Sequence, residues 1–141
     1  MTLRPKTLRE KKKLVQQAAL KYCETADSRL KLALLQADQR LSHAKSEFLR
    51  HEGVTSQHSN KHSLNRLSTI MDIAKNIVDA KSDSVEALDP PEVDDLYAYY
   101  VPYIQAMRLV ELREKEFDII KKRIELNAEI YHVYKEELDK E

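Results

Sequence analysis

The fold of this chain is decided by residues 106–138, which read AMRLVELREKEFDIIKKRIELNAEIYHVYKEEL. Apolar residues recur in this stretch at interlaced intervals of three and four, so they return to one helix face every seven residues. A sustained seven-residue repeat is typical of helices that pair along a narrow apolar seam. The two sets of seam positions are Val110, Phe117, Ile124, Tyr131 and Leu138, and Ala106, Arg113, Ile120, Asn127 and Tyr134.

A second seam runs through the N-terminal third of the chain. Its two sets are Cys23, Leu30, Ala37 and Ala44, and Leu20, Asp27, Leu34, Leu41 and Phe48. The seam predicts a first helix from about residue 7 to residue 52. Gly53 stands where the residue after a helix end belongs, so residues 53–62 are predicted to form a polar connection.

A second helix is predicted over residues 63–81, because this stretch carries the widest apolar face in the chain. Residues 82–89 read SDSVEALD and are interpreted as an acidic linker. The next boundary is the clearest local signal, since Asp89-Pro90-Pro91-Glu92 combines a capping Asp, an early Pro and a Glu three residues after the Asp. A third helix should therefore run over about 90–139, with a kink near Pro102.

Composition supports an all-helical chain. There is one glycine and there are four prolines in 141 residues, whereas sheets need tight turns that glycine favours. The predicted fold is therefore all-α: three long helices in one domain, forming an elongated antiparallel bundle or coiled coil.

The same features restrict the functional classes. With one glycine the chain cannot hold a glycine-rich phosphate loop, and it has no Ser or Cys in a recognisable nucleophile motif. His58 and His62 are four residues apart but fall in a polar stretch without other typical metal ligands. The sequence therefore predicts no catalytic, cofactor-binding or metal-binding residues, and indicates a protein that is not an enzyme.

Partners and compartment follow from charge and cysteine content. A formal net charge of zero argues against nucleic-acid binding. Cys23 is the single cysteine, which favours a reducing, intracellular compartment such as the cytoplasm; a nuclear or mitochondrial location is compatible with the same observation. No apolar run approaches the length of about 20 residues that a membrane-spanning helix needs.

The leading hypothesis is a structural or adaptor subunit of an intracellular multiprotein complex, acting through coiled-coil and helix-in-groove contacts in homo- or hetero-oligomers. Asn127 lies in a seam position, where one buried Asn can fix register. Tyrosine is enriched at interfaces, so the cluster near Pro102 is included among the contacts. The alternative is that these tyrosines pack within the bundle against the second helix. The predicted interaction residues are Tyr97, Tyr100, Tyr103, Val110, Phe117, Ile120, Ile124, Asn127, Tyr131, Tyr134 and Leu138.

An alternative is a module that binds membrane surfaces. Long helices, a proline kink and scattered basic residues loosely resemble, in architecture alone, the BAR domains, whose three helices dimerise into curved rods. That resemblance implies contacts between basic side chains and anionic lipid, and the same residues could instead contact other phosphates. The candidates are Lys11, Lys12, Lys13, Lys121, Lys122 and Arg123.

Overall fold

A computed structural model describes residues 7–82 and 84–140 of the protein. Every regular element in these residues is helical, which confirms the all-α class and the antiparallel packing of the long helices. The elements in chain order are α1 (Leu8–Ser59), α2 (Leu64–Val78), a 3-10 turn (Val85–Ala87), α3 (Pro90–Asp95), a π turn (Leu96–Tyr100) and α4 (Val101–Asp139).

The elements form two compact units. Unit 2 is Gln39–Lys115 and contains the second half of α1, then α2, α3 and the π turn, and the beginning of α4. Unit 1 combines the described chain before Gln39 with the described chain after Lys115, so it consists of the first half of α1 and the larger part of α4.

Helix α1 continues through Gly53 to Ser59, so the predicted helix end at residue 52 and the predicted loop over residues 53–62 are wrong. Gly53 does not adopt a positive φ and therefore does not end the helix. The turns beyond it are held by contacts within unit 2. The hydroxyl of Thr55 donates to the carbonyl of Tyr99 at 3.4 Å, and the His58 ring stacks on the Tyr99 ring with 3.8 Å between centroids. These contacts offset the cost of about 1 kcal/mol that a glycine adds inside a helix.

Helix α2 begins at Leu64 after Ser63, whose side chain accepts a hydrogen bond from the Arg66 amide at 3.3 Å. The helix ends at Val78, three residues earlier than predicted. Ala80 adopts a left-handed conformation with φ 55°, and the Lys81 amide donates back to the Asn76 carbonyl at 2.8 Å. This is a Schellman ending with alanine in the position that glycine usually occupies.

The acidic linker contains the 3-10 turn Val85–Ala87, while its residue Asp83 lies outside the described residues. Helix α3 begins at Pro90 as predicted. A capping box is formed, in which the Glu92 carboxylate accepts a hydrogen bond from the Asp89 amide at 2.9 Å. The local signal therefore predicted this boundary correctly, because every group in it lies within four residues.

The predicted third helix departs from α geometry immediately before Pro102. Over Leu96–Tyr100 the turn is widened, and the Val101 amide donates to the Leu96 carbonyl five residues back. A proline in an α-helix lacks one amide donor, and its ring crowds the carbonyl four residues earlier, here that of Ala98. The π turn therefore lies where the proline disturbs the α pattern, and α4 then continues to Asp139.

The core of unit 2 is built from α2 and from the chain around the π turn. Ile70, Ile73 and Ala74 of α2 are buried, and Tyr100 and Ile104 are completely buried. The other buried members are Leu88, Leu96 and Val101. Full burial of one large apolar side chain contributes about 1.5–3 kcal/mol, so this cluster supplies the main hydrophobic stabilisation of unit 2.

Unit 1 is an antiparallel pair of helices. The Gln16 amide donates to the Glu137 carboxylate at 2.9 Å, and the Asn127 amide donates to the Cys23 carbonyl at 2.8 Å. Among the described residues of this unit only Cys23 and Ala37 are buried apolar residues. Two helices can bury only one stripe of each against the other, so the remaining apolar residues of unit 1 stay accessible.

Candidate functional site

The predicted α4 seam faces α1 within unit 1. Phe117, Ile120, Ile124, Asn127, Tyr131, Tyr134 and Leu138 are all half-buried. Besides the hydrogen bond of Asn127 to Cys23, the Tyr131 hydroxyl lies 3.5 Å from the Glu24 carboxylate. Asn127 and Tyr131 therefore connect α4 to α1 within the unit, and a role of the seam in binding a partner stays a prediction.

The tyrosine cluster near Pro102 belongs to unit 2, and its members have different environments. Tyr100 is completely buried, and burial raises the pKa of its hydroxyl. The Tyr103 ring lies 5.4 Å from the Phe48 ring, centroid to centroid. Tyr97 alone of the three predicted contacts is exposed, and Val110 is half-buried. Tyr100 is therefore a core residue of unit 2, and the interface role of the cluster stays a prediction.

A different apolar stripe of α4 in unit 1 is exposed. Leu126 and Val133 are 56 % and 54 % exposed, and Ile119 and Ile130 are also exposed. Ile119, Leu126 and Val133 are seven residues apart, which is the same repeat that defined the predicted seam. Sequence reasoning missed this stripe, although its spacing was available as a signal.

The exposed stripe borders an open groove between α1 and α4 of about 660 Å³. We call it the α1/α4 groove. Its apolar lining comes from Ala18, Tyr22, Ala26 and Leu30 of α1 and from Leu126 and Ile130 of α4. Tyr22 is 74 % exposed, so a large aromatic side chain stands at the groove without being covered. An apolar groove between two helices is the kind of surface that accepts a third helix.

The charges in the α1/α4 groove all have one sign. Lys21, Arg29 and Arg123 line it, together with the polar Thr25 and Asn127, and none of its lining residues is a carboxylate. Within the described part of the chain, the charged side-chain groups of these three residues take part in no hydrogen bond or ion pair. The groove therefore presents unpaired positive charge beside exposed apolar surface.

Unit 2 carries a polar depression whose charged groups are mostly paired. The Arg66 guanidinium donates to Glu92 at 2.8 Å and to the Ala87 carbonyl at 3.0 Å. The hydrogen bond from Arg66, helped by the Asp89 amide, lowers the pKa of Glu92 to about 2. His62 lies 3.0 Å from Asp95. These contacts connect the start of α2 to α3. The charged groups of the depression therefore stabilise the fold of unit 2.

His58 and His62 are engaged in separate contacts, although they are four residues apart. His58 stacks on Tyr99, whereas His62 contacts Asp95 and meets the Tyr100 ring edge-on. No group of side chains in residues 7–82 and 84–140 has the arrangement of a metal site.

The candidate lipid or phosphate contacts lie in unit 1. Lys11, Lys12 and Lys13 are exposed on α1, and Lys121 and Lys122 are exposed on α4. The Lys121 ammonium lies 5.9 Å from the centre of the Phe117 ring. Arg123 differs from its two neighbours, because it lines the α1/α4 groove.

Membrane-spanning potential and similarity to known proteins bear on the class of this protein. None of the described helices combines the length and apolar character that crossing a membrane requires. No protein family, curated protein or solved structure matches the chain. Fold and site thus define a helical chain with an exposed apolar groove in unit 1.

Proposed function

We propose that the chain is a non-catalytic structural or adaptor subunit of an intracellular multiprotein assembly, and that it binds a helix of a partner protein in the α1/α4 groove. The observation that carries this proposal is the exposure of Tyr22, Leu126, Ile130 and Val133 on one side of unit 1. Contiguous exposed apolar surface with polar residues around it is typical of interaction sites.

The shape of the surface supports a helical partner. Ile119, Leu126 and Val133 repeat every seven residues, so a helix laid along α4 can contact them at every second turn. The groove beside them gives such a helix contacts with α1 as well. A third helix would cover apolar surface that two helices leave in water. This burial would stabilise the complex by about 25 cal/mol for each Å² of apolar surface removed from water.

A non-catalytic role is supported by the state of the charged side chains in unit 2. Acid–base catalysis needs groups in a cleft whose pKa values are shifted toward their task. In the polar depression Arg66 and Glu92 are bound to each other, and this hydrogen bond lowers the pKa of Glu92 further from neutral pH. This pair stabilises the fold and does not hold a transferable proton near neutral pH.

Site-specific photo-crosslinking in cells that express the chain would test the proposal. A photoreactive phenylalanine analogue at Leu126 should give one or a few discrete cross-linked proteins, because this side chain faces the groove. The matched control is Glu125, the preceding exposed residue, which does not line the groove. Equal cross-linking from both positions, or none from Leu126, would count against a partner in the groove.

A second candidate is binding to an anionic membrane surface. It is favoured by the exposure of Lys11, Lys12 and Lys13 on α1 and of Lys121 and Lys122 on α4, all within unit 1. Co-sedimentation with phosphatidylserine vesicles at low salt tests it. Replacing Lys121 and Lys122 with Glu should reduce the bound fraction, and failure of the unaltered chain to sediment would remove this candidate.

A further inference from the structure

We propose that the partner helix in the α1/α4 groove is amphipathic and acidic, with Asp or Glu residues beside its apolar stripe. The inference rests on the proposed function and adds the chemistry of the partner. It depends on the composition of the groove lining: three cations, no carboxylate, and apolar side chains from both helices.

The apolar requirement comes from the length and lining of the groove. Its α1 residues extend from Ala18 to Leu30, which corresponds to about 18 Å along a helix at 1.5 Å per residue. A partner helix of about three turns would match that length. Its apolar residues must recur at intervals of three and four to stay against Tyr22, Leu126 and Ile130.

The acidic requirement comes from the unpaired cations. Lys21 and Arg29 stand on α1 and Arg123 stands on α4, so the groove has positive charge on both of its walls. A helix that covers the groove removes water from these groups, and a cation without a counter-charge then opposes binding. Carboxylates on both flanks of the partner would pair with them, whereas a basic helix would be repelled.

The same charges argue against a second copy of this chain as the occupant. Two grooves placed face to face would bring Lys21, Arg29 and Arg123 of one copy against the same three cations of the other. A flat anionic bilayer supplies negative charge but no apolar ridge to enter the space between two helices. An acidic helix satisfies both requirements of the groove at once.

Two synthetic peptides can serve as probes. Each is a helix of about three turns with leucine at the apolar positions, and the flanking positions carry Glu in one peptide and Lys in the other. Fluorescence anisotropy with the full chain should show at least about tenfold tighter binding of the Glu peptide. Added salt should reduce that difference, because the discriminating contacts lie at the groove edges.

Single charge reversals inside and outside the groove show whether the groove is the binding site. Arg123→Glu should weaken binding of the Glu peptide about fivefold, and Arg29→Glu on the other helix gives an independent variant. The matched control is Lys122→Glu, which makes the same charge change one residue away, outside the groove lining, and should change binding by less than about twofold. Matching far-UV circular dichroism spectra would confirm that all three variants fold.

Several results would overturn the inference. These are equal binding of the two peptides, no binding of either at micromolar concentration, or equal effects of Arg123→Glu and Lys122→Glu. Light scattering that shows a dimer, dissociated by the Glu peptide, would instead identify a second copy as the occupant. If Leu126 still cross-links to another protein in cells, the proposed function stands even when one of these results rules out an acidic partner helix. Failure of the inference is thereby distinguished from failure of the proposed function.

Discussion

At the scale of single residues, glycine and the left-handed backbone conformation occur at different places in this chain. Gly53 is the only glycine, and it lies inside α1 without a positive φ. Ala80 has φ 55° and ends α2 in a conformation that glycine adopts more easily. At each position the backbone conformation therefore reduces the free energy of unfolding, and a single substitution there should recover it.

Gly53→Ala is expected to stabilise the protein by about 0.5–1 kcal/mol. Alanine restricts the unfolded chain and suits a helix interior. Apart from its own stretch of helix backbone, no heavy atom lies within 4 Å of the place that a Cβ atom would occupy, so no clash offsets the gain. Urea unfolding followed by circular dichroism measures the change. A decrease in the free energy of unfolding would mean that α1 needs glycine at this position.

Ala80→Gly is also expected to stabilise the protein, by up to about 1 kcal/mol, because glycine has no steric penalty at positive φ. The matched control is Ala128→Gly, the same change at an exposed position inside α4, which should destabilise by about 1 kcal/mol. Opposite signs in urea unfolding would confirm the left-handed helix ending. The same sign for both variants would contradict it.

At the scale of elements, Glu92 joins three parts of unit 2. Its carboxylate accepts from the Asp89 amide at the start of α3 and from Arg66 of α2, and Arg66 also holds the Ala87 carbonyl of the 3-10 turn. One side chain thus forms the capping box of its own helix and the ion pair to the neighbouring helix.

This carboxylate should make unit 2 sensitive to acid. The pKa of Glu92 is about 2 in the folded protein and about 4.5 when unperturbed, so its ionised form stabilises the fold above pH 4.5. That contribution is lost as the pH falls from about 4.5 toward 2. Free energies of unfolding measured across this range should therefore fall less steeply for Glu92→Gln than for the unaltered chain.

The control for Glu92→Gln is Glu86→Gln, which removes an exposed carboxylate from the 3-10 turn. This variant should keep the acid dependence of the unaltered chain. If both variants flatten the pH dependence equally, the acid sensitivity does not arise from the pair with Arg66.

Element boundaries were predictable where the signal was local. The start of α3 depends on Asp89 and Glu92, which are close in sequence, and it was predicted correctly. The end of α1 was not, because the helix beyond Gly53 is held by contacts of Thr55 and His58 with Tyr99, more than 40 residues away. Local sequence cannot report contacts at that separation.

At the scale of the whole molecule, the two units differ in how much apolar surface they bury. The large cluster of completely buried side chains, including Ile70, Leu96 and Ile104, belongs to unit 2. Among the described residues of unit 1, the buried apolar side chains are Cys23 and Ala37, both small. Local stability follows buried apolar contacts, so it should differ between the units.

Hydrogen exchange should show this difference directly. Amides of α2 and of the first turns of α4 are expected to exchange more slowly than those of α1 before Gln39 and of α4 after Lys115. Ile104→Ala, a truncation in the core of unit 2, should cost about 2–5 kcal/mol and accelerate exchange in that unit. Equal protection of both units in the unaltered chain would contradict the expectation.

The sequence predicted the fold class but not the face of α4 that is exposed. Phe117, Ile124 and Tyr131 repeat every seven residues, and so do Ile119, Leu126 and Val133. Both sets are apolar. They are offset by two residues and so lie roughly 160° apart around one helix, and the seven-residue repeat alone does not decide which of them meets α1. Asn127 favours the first set, because its amide has the Cys23 carbonyl as a partner. The α1/α4 groove could not be predicted from the sequence, because its lining combines residues of α1 and α4 that are far apart along the chain.

The π turn at Leu96–Tyr100 has a consequence for comparing this chain with any relative. A π turn holds about one residue more than the α turn that it replaces, so it is equivalent to a single-residue insertion. Leu96 and Val101 are five residues apart, are joined by the hydrogen bond of the π turn and are both buried, as the shift in helical phase requires. A relative that lacks the extra residue should align with a one-residue gap here, and heptad positions should be numbered afresh from Val101. Such a relative would also be expected to lack the proline, since Pro102 and the widened turn accommodate each other.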